Sequence, residues 1–230
     1  MLEQLKQQVC EANLALHRAG LVILTWGNAS GLDPDTGLVA IKPSGVDYGQ
    51  MRPEHMVLVD LDGHVVEGDM RPSSDTPTHL VLYRQFRGIR GVAHTHSTYA
   101  TAWAQARRSL SCYGTTHADS FRGAVPVTAE MGPAALAGDY EAETGLAIVR
   151  AFAETDPTEV PGVLVASHGP FTWGRSAAHA VENSIVLEQL ALMAAVTEGL
   201  APGITAISDQ LRDKHFLRKH GKGAYYGQRA

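Results

Sequence analysis

Gly91-Val92-Ala93-His94-Thr95-His96 is the stretch on which the reading of this chain turns. Its small and apolar residues predict a buried strand. Alternation along a strand puts His94 and His96 on one face, where two imidazoles can grip one metal ion. A second apolar run, Val163 to Ala166, predicts another strand that feeds into Ser167-His168-Gly169. Two strand ends meeting at one rim of a sheet would bring His168 to the pair, and Asp75 of Ser73-Ser74-Asp75 would add a carboxylate. Three imidazoles and an aspartate suit zinc or another borderline divalent ion, acting as a Lewis acid on a small oxygenated substrate. Asp75 has two competing readings, as the N-cap of the next helix or as a catalytic base.

Working outward, Leu2, Leu5, Val9, Ala12 and Leu16 fall at helical spacing, so a helix is predicted over 2–19, with Gly20 at its C-terminal cap. Leu21 to Trp26 reads as a buried strand. Asp33-Pro34-Asp35-Thr36-Gly37 is a turn leading into a return strand from Leu38 to Ile41. Met56–Asp60 and His64–Glu67 form a second hairpin pattern around Leu61-Asp62-Gly63. Helices are predicted from Asp75 to about Phe86, near Tyr99–Ala106, over Glu141–Ala153, from Ser176 to Glu198 and over 207–219. A Gly-containing tail then leads to Tyr225-Tyr226. Strands followed by crossover helices suggest parallel pairing, whereas the hairpins of the first third argue for antiparallel pairing. The segment Arg107 to Tyr113 carries no motif.

The 230 residues contain no linker-like run that divides them, which predicts one domain over 1–230. A net charge of -5 without a basic stripe argues against a nucleic-acid partner. The basic cluster Arg212 to His220 reads on its own as a solvated helix end. The acidic residues of the N-terminus argue against a signal peptide, and no apolar run is read as reaching a membrane span. Cys10 and Cys112 make no disulfide framework, which accords with a reducing cytoplasm.

Three segments gather small residues with hydroxyl or amide groups: Trp26-Gly27-Asn28-Ala29-Ser30, Lys42-Pro43-Ser44-Gly45 and Pro72-Ser73-Ser74. Backbone N–H groups in such loops form anion nests, and Lys42 adds charge. Each loop alone is equally an ordinary turn. None matches a Walker or dinucleotide pattern, which disfavours nucleotide binding. Thr115-Thr116-His117-Ala118-Asp119 places an acid near a histidine, as an acid/base pair or as a turn.

Together these motifs resemble the L-ribulose-5-phosphate 4-epimerase family, within the class II aldolase and epimerase superfamily. The resemblance runs nearly end to end. It rests on Leu24–Asn28, Ile41–Tyr48, Pro72–His79, His94–Ser97, Gly114–Asp119, Ser167–Phe171, Asp213–Gly221 and Ala224–Gln228. It implies a homotetramer of α/β subunits, each with a mostly antiparallel central sheet flanked by helices. It implies zinc (manganese or cobalt as alternatives) held by Asp75, His94, His96 and His168. A phosphorylated pentulose would bind at Gly27, Asn28, Ser44, Gly45, Ser73 and Ser74, with Lys42 close by. Acid/base roles fall to Asp119 and Tyr226, with His215 assisting, at a site shared between subunits. Fuculose-phosphate-type aldolases carry a glutamate where this chain has Asp75, so the shorter carboxylate favours an epimerase. An aldolase on a phosphorylated ketose is the alternative. The adducin head domain, a non-enzymatic relative, lacks the metal histidines that this chain has.

Overall fold

The computed structural model describes residues 2–226. Seven short strands form one sheet: β1 (Asn28–Asp33), β2 (Leu38–Ile41), β3 (Val57–Val59), β4 (Val65–Glu67), β5 (Gly91–His94), β6 (Gly162–Leu164) and β7 (Pro170–Gly174). Their order is β4-β3-β2-β1-β5-β7-β6, and each adjacent pair is antiparallel. The antiparallel expectation therefore holds. The helices are α1 (Leu2–Arg18), α2 (Thr76–Gln85), α3 (Thr98–Gln105), α4 (Thr115–Ala118), α5 (Pro133–Ala137), α6 (Tyr140–Ala151), α7 (Ala177–Leu200) and α8 (Asp209–His220).

Helices cover both faces of the sheet. Strand alternation sends Val39, Val57, Val59 and Val92 to one face, where Leu80, Leu82 and Tyr83 of α2, Trp103 of α3 and Ile148 of α6 complete the core. The opposite face presents Ala29, Ala40, Leu58 and Ala93 to α1 and to the first turns of α7. Small side chains there let the helices approach closely. A Cβ on Gly91 would lie 2.2 Å from the Ser176 carbonyl oxygen, and one on Gly31 would lie 2.9 Å from Val9.

Two parts of the sheet differ from expectation. Leu21–Trp26 is not a strand: Leu24 adopts φ 54°, and Ile23, Leu24 and Trp26 are exposed. Gly27, at φ 71°, turns the chain into β1 instead. The β1 sequence Asn-Ala-Ser-Gly-Leu-Asp has no β-branched residue, so its place is set by neighbours. Asn13 of α1 bonds both backbone groups of Ala29, donating to its oxygen at 2.9 Å and accepting from its nitrogen at 2.8 Å. The second difference is β7, a strand that the sequence pattern does not announce; its pairing with β5 buries Phe171 and Trp173 in the core.

One expectation about apolar length is also corrected. At 24 residues, α7 is long and apolar enough to meet the requirement for a membrane span by length and composition. Its apolarity serves the core: Val181, Leu187, Leu190 and Ala191 are buried against the sheet and neighbouring helices.

Candidate active site

The sheet register gathers the site. Asn28 at the start of β1 pairs with His94 at the end of β5, and His94 pairs with Phe171 at the start of β7. Antiparallel neighbours thus deliver one strand beginning, one strand end and another beginning to the same rim. His96 lies two residues past the end of β5, and His168 lies two residues before β7. Lys42 follows β2 immediately. The Ser73–Asp75 turn at the head of α2 docks beside it, with Ser73 N–H donating to the Lys42 carbonyl at 2.9 Å and Ser44 N–H to the Arg71 carbonyl at 2.9 Å. The result is a cavity of about 600 Å³ lined by Gly27, Asn28, Lys42, Ser44, Gly45, Ser73, Ser74, Asp75, His94, His96 and His168. These are the residues expected at the anion and metal sites.

Ligand atoms of His94, His96 and His168 lie within 4.8 Å of one another. The His94 Nδ1 lies 2.9 Å from the Pro170 carbonyl oxygen, which can only accept, so Nδ1 carries the proton. Its Nε2 therefore presents a lone pair and lies 3.0 Å from His96 Nε2. Phe171 stacks on the His94 ring at 4.1 Å between centroids and fixes its plane. The buried Nδ1 of His168 has no hydrogen-bond partner among the described residues. Burial lowers the pKa of all three rings, against the opposing pull of Asp75, and pushes His94 down to about 4. Three neutral imidazoles with converging nitrogens, one of them an orphan, fit a borderline divalent ion.

The carboxylate of Asp75 does not cap α2: its side chain makes no capping hydrogen bond. Its Oδ2 accepts instead from Asn28 Nδ2 at 2.6 Å, and the same amide donates to Ser73 Oγ at 3.0 Å. Burial works to raise the Asp75 carboxyl, but His94, His79 and the Asn28 amide hold it below its ordinary value. Lys42 is fully buried. Its Nζ donates to the carbonyls of Thr25 at 3.2 Å and Pro43 at 3.3 Å, and burial lowers its pKa against the pull of Asp75 and Asp47. The Tyr48 hydroxyl lies 2.9 Å from the carbonyl oxygens of both Trp26 and Gly27, which orients the first loop.

Asp119, His215 and Tyr226 do not line this cavity. They gather elsewhere, where α4 meets α8. The Asp119 carboxylate accepts from His215 Nδ1 at 3.1 Å and from Arg218 through Nε at 3.1 Å and Nη2 at 2.8 Å, with Lys219 Nζ at 3.6 Å. Burial works to raise the Asp119 carboxyl, but bonds from Arg218 and His215 and the Lys219 charge bring it below its ordinary value. The Tyr226 ring lies under the Lys219 and Arg218 cations, at 4.4 and 5.0 Å. Arg218 and Lys219 are therefore not the solvated helix end that charge patterning predicts. Sequence reading also passed over Tyr140 and Glu141, which line the histidine cavity from the head of α6. Glu141 was read only as the first residue of a helix and Tyr140 as the residue before it; the Thr78 hydroxyl brings α6 to α2 by donating to the Glu141 carbonyl at 2.6 Å.

The family described as class II aldolase and adducin N-terminal domain matches residues 7–195. The L-ribulose-5-phosphate 4-epimerase UlaF of Salmonella paratyphi A (strain ATCC 9150 / SARB42) is 52% identical over 228 residues, covering 99% of this chain and 100% of that protein. The protein of the same name from Salmonella typhi matches to the same extent. Among solved structures, an L-fuculose 1-phosphate aldolase superposes with a TM-score of 0.74 at 25% identity, covering 90% of this chain and 92% of that one. YgbL of Klebsiella pneumoniae, titled a putative aldolase/epimerase/decarboxylase, also gives 0.74 at 25% identity, covering 93% and 98%.

Proposed function

The chain belongs to the class II aldolase and adducin N-terminal domain family, and we propose that it interconverts L-ribulose 5-phosphate and D-xylulose 5-phosphate. The observation that supports this most is the 52% identity to the Salmonella epimerases across 99% of the chain. The geometry agrees with it, because the three histidines face loops suited to a phosphate within one cavity.

The stereocentre to be inverted, C4, bears a hydroxyl and has no carbonyl beside it, so its C–H is not acidic. Cleaving the C3–C4 bond and re-forming it on the other face of the aldehyde solves this. His94, His96, His168 and Asp75 would hold a divalent ion, zinc by our reading, which supplies a Lewis acid for the negative charge that develops on the ketose fragment. Gly27, Asn28, Ser44, Gly45, Ser73 and Ser74 bind the phosphate, with the Lys42 charge behind them. Holding the aldehyde fragment by its phosphate lets it rotate without escaping. Asp119 and Tyr226 take and return the proton of the C4 hydroxyl, one for each orientation of that oxygen, and His215 steadies Asp119.

Since Asp119 and Tyr226 do not line the histidine cavity of their own subunit, a second copy supplies them. We read the assembly as a homotetramer with the active sites between subunits. The two free cysteines accord with a cytoplasmic setting. The test is a coupled assay in which zinc-loaded protein receives L-ribulose 5-phosphate and D-xylulose 5-phosphate is followed through transketolase. Chelator-sensitive formation is expected. Accumulation of free glycolaldehyde phosphate with no xylulose phosphate would overturn the epimerase reading in favour of an aldolase.

A further inference from the structure

Arg218 makes three different contacts with the two proton-transfer groups. The edge of its guanidinium donates two bonds to Asp119, Nε to Oδ1 at 3.1 Å and Nη2 to Oδ2 at 2.8 Å. The Cζ of the same group lies over the Tyr226 ring, 5.0 Å from its centroid. Its backbone oxygen accepts from the N–H groups of Tyr225 at 3.0 Å and Tyr226 at 3.2 Å, which folds the tail back on α8. Tyr226 itself is 60% exposed.

We propose that Arg218 is the positioning residue of the acid/base cluster, holding the Asp119 carboxylate on its edge and the Tyr226 ring on its face at one fixed spacing. This rests on the reading that Asp119 and Tyr226 move the substrate proton. Only arginine suits both contacts. Its rigid fork matches a carboxylate through two parallel bonds, and its flat, weakly hydrated surface stacks on a phenol. Lys219 faces the same two groups, at 3.6 Å from Asp119 Oδ2 and 4.4 Å from the Tyr226 ring, but as a point charge on a flexible stem. An acid and a base that serve opposite orientations of one oxygen must keep their separation, and displacement by about 1 Å can cost about 100-fold in rate.

Arg218 also sets the charge around Asp119. His215, Arg218 and Lys219 of α8 face the carboxylate, the His220 Nε2 meets the Asp119 backbone oxygen at 2.9 Å, and His117 on its own segment turns away to the Gly123 carbonyl. Across the shared cavity stand Arg175, His179 and Glu182 of α7 and the turn before it. Losing the Arg218 cation raises the Asp119 pKa, so the acid limb of kcat/KM moves to higher pH. A residue that merely packs would leave that limb in place.

The test uses the zinc-loaded full chain with Arg218→Lys and Arg218→Met, each checked for parental zinc content and circular dichroism. Arg218→Lys is expected to lower kcat by about 10- to 100-fold while KM stays within about threefold. Arg218→Met is expected to move the acid limb up by about one pH unit. In an Asp119→Asn background the cost of Arg218→Lys should shrink, because its target is gone. Parental kcat and an unmoved limb in both variants would overturn the proposal, as would a cost of Arg218→Lys that is undiminished beside Asp119→Asn. If Arg218→Met does not fold, Arg218→Lys and its double mutant decide. Should Asp119→Asn and Tyr226→Phe both keep parental turnover, the acid/base reading itself fails, an outcome distinct from parental Arg218 variants beside two crippled ones.

Discussion

The histidine rim and the Asp119 cluster are built by opposite means. At the rim, the buried His94 is fixed by the sheet register, and His96 and His168 stand two residues beyond the ends of neighbouring strands. In the cluster, Asp119 at the end of α4 and His215, Arg218 and Lys219 of α8 hold one another, each side chain still 15–25% exposed to solvent. The rim is rigid because moving it would break the sheet. The cluster is held by ion pairs, which screening and pH weaken. On the proposed function, the first kind of support suits a metal centre and the second suits groups that meet a second copy.

The largest effect is expected where the two regions divide the labour. Asp119→Asn and Tyr226→Phe should each cut turnover by about 10²- to 10⁴-fold while zinc content stays parental. Loss of zinc in either, measured by elemental analysis, would erase the distinction between the regions. His96→Asn should do the converse and release the ion. The cost in turnover should exceed about 100-fold, since even residues behind the ligands are worth that much. Stoichiometric zinc in His96→Asn would remove it from the ligand set.

Acid should then destabilise both regions together. Burial pushes His79 down to about 3 and His94 to about 4 at the rim, and His117 to about 4 beside the cluster, from an ordinary value of 6.5. The unfolded chain therefore takes up protons first as pH falls. The stability these groups contribute is present above about pH 6.5 and is lost as pH drops toward 4. The thermal midpoint of metal-free protein, followed between those pH values, should fall, and a flat profile would mean that the rings are already charged in the fold.

The smallest effects sharpen the idea of a rigid rim. A Cβ on Gly27, at φ 71°, would lie 2.8 Å from the His94 carbonyl oxygen, whereas one on Gly45, at φ 70°, meets open space. Gly27→Ala should cost about 1–3 kcal/mol more than Gly45→Ala, which has only the left-handed backbone to strain. Equal costs by denaturant titration would show that the rim yields more than its register suggests.

Much of this was legible locally. The repeat of Leu5, Val9, Ala12 and Leu16 marks α1, Asp33–Gly37 marks its hairpin, and the apolar run before His94 marks β5. The error at Leu21–Trp26 has a physical source: Leu21 and Val22 anchor a loop in the core and Ile23, Leu24 and Trp26 are exposed, while the true strand is made of small residues that α1 holds in place. The pairing of Arg218 with Asp119 was hidden because the two lie 99 residues apart.

The sequence by itself supplied the residues on which the proposed chemistry rests: three histidines and an aspartate, hydroxyl-rich loops, Asp119 in mid-chain and a tyrosine near the tail. It also determined most helices, since capping and a 3.6-residue period act within a few positions. Only the tertiary structure decided that Asn28, His94 and Phe171 share one register, that Asp75 turns to Asn28 rather than capping its helix, and that Asp119 and Tyr226 stand apart from the histidines. Strand register and ion pairing are settled by contacts between distant segments, and local sequence carries no term for them.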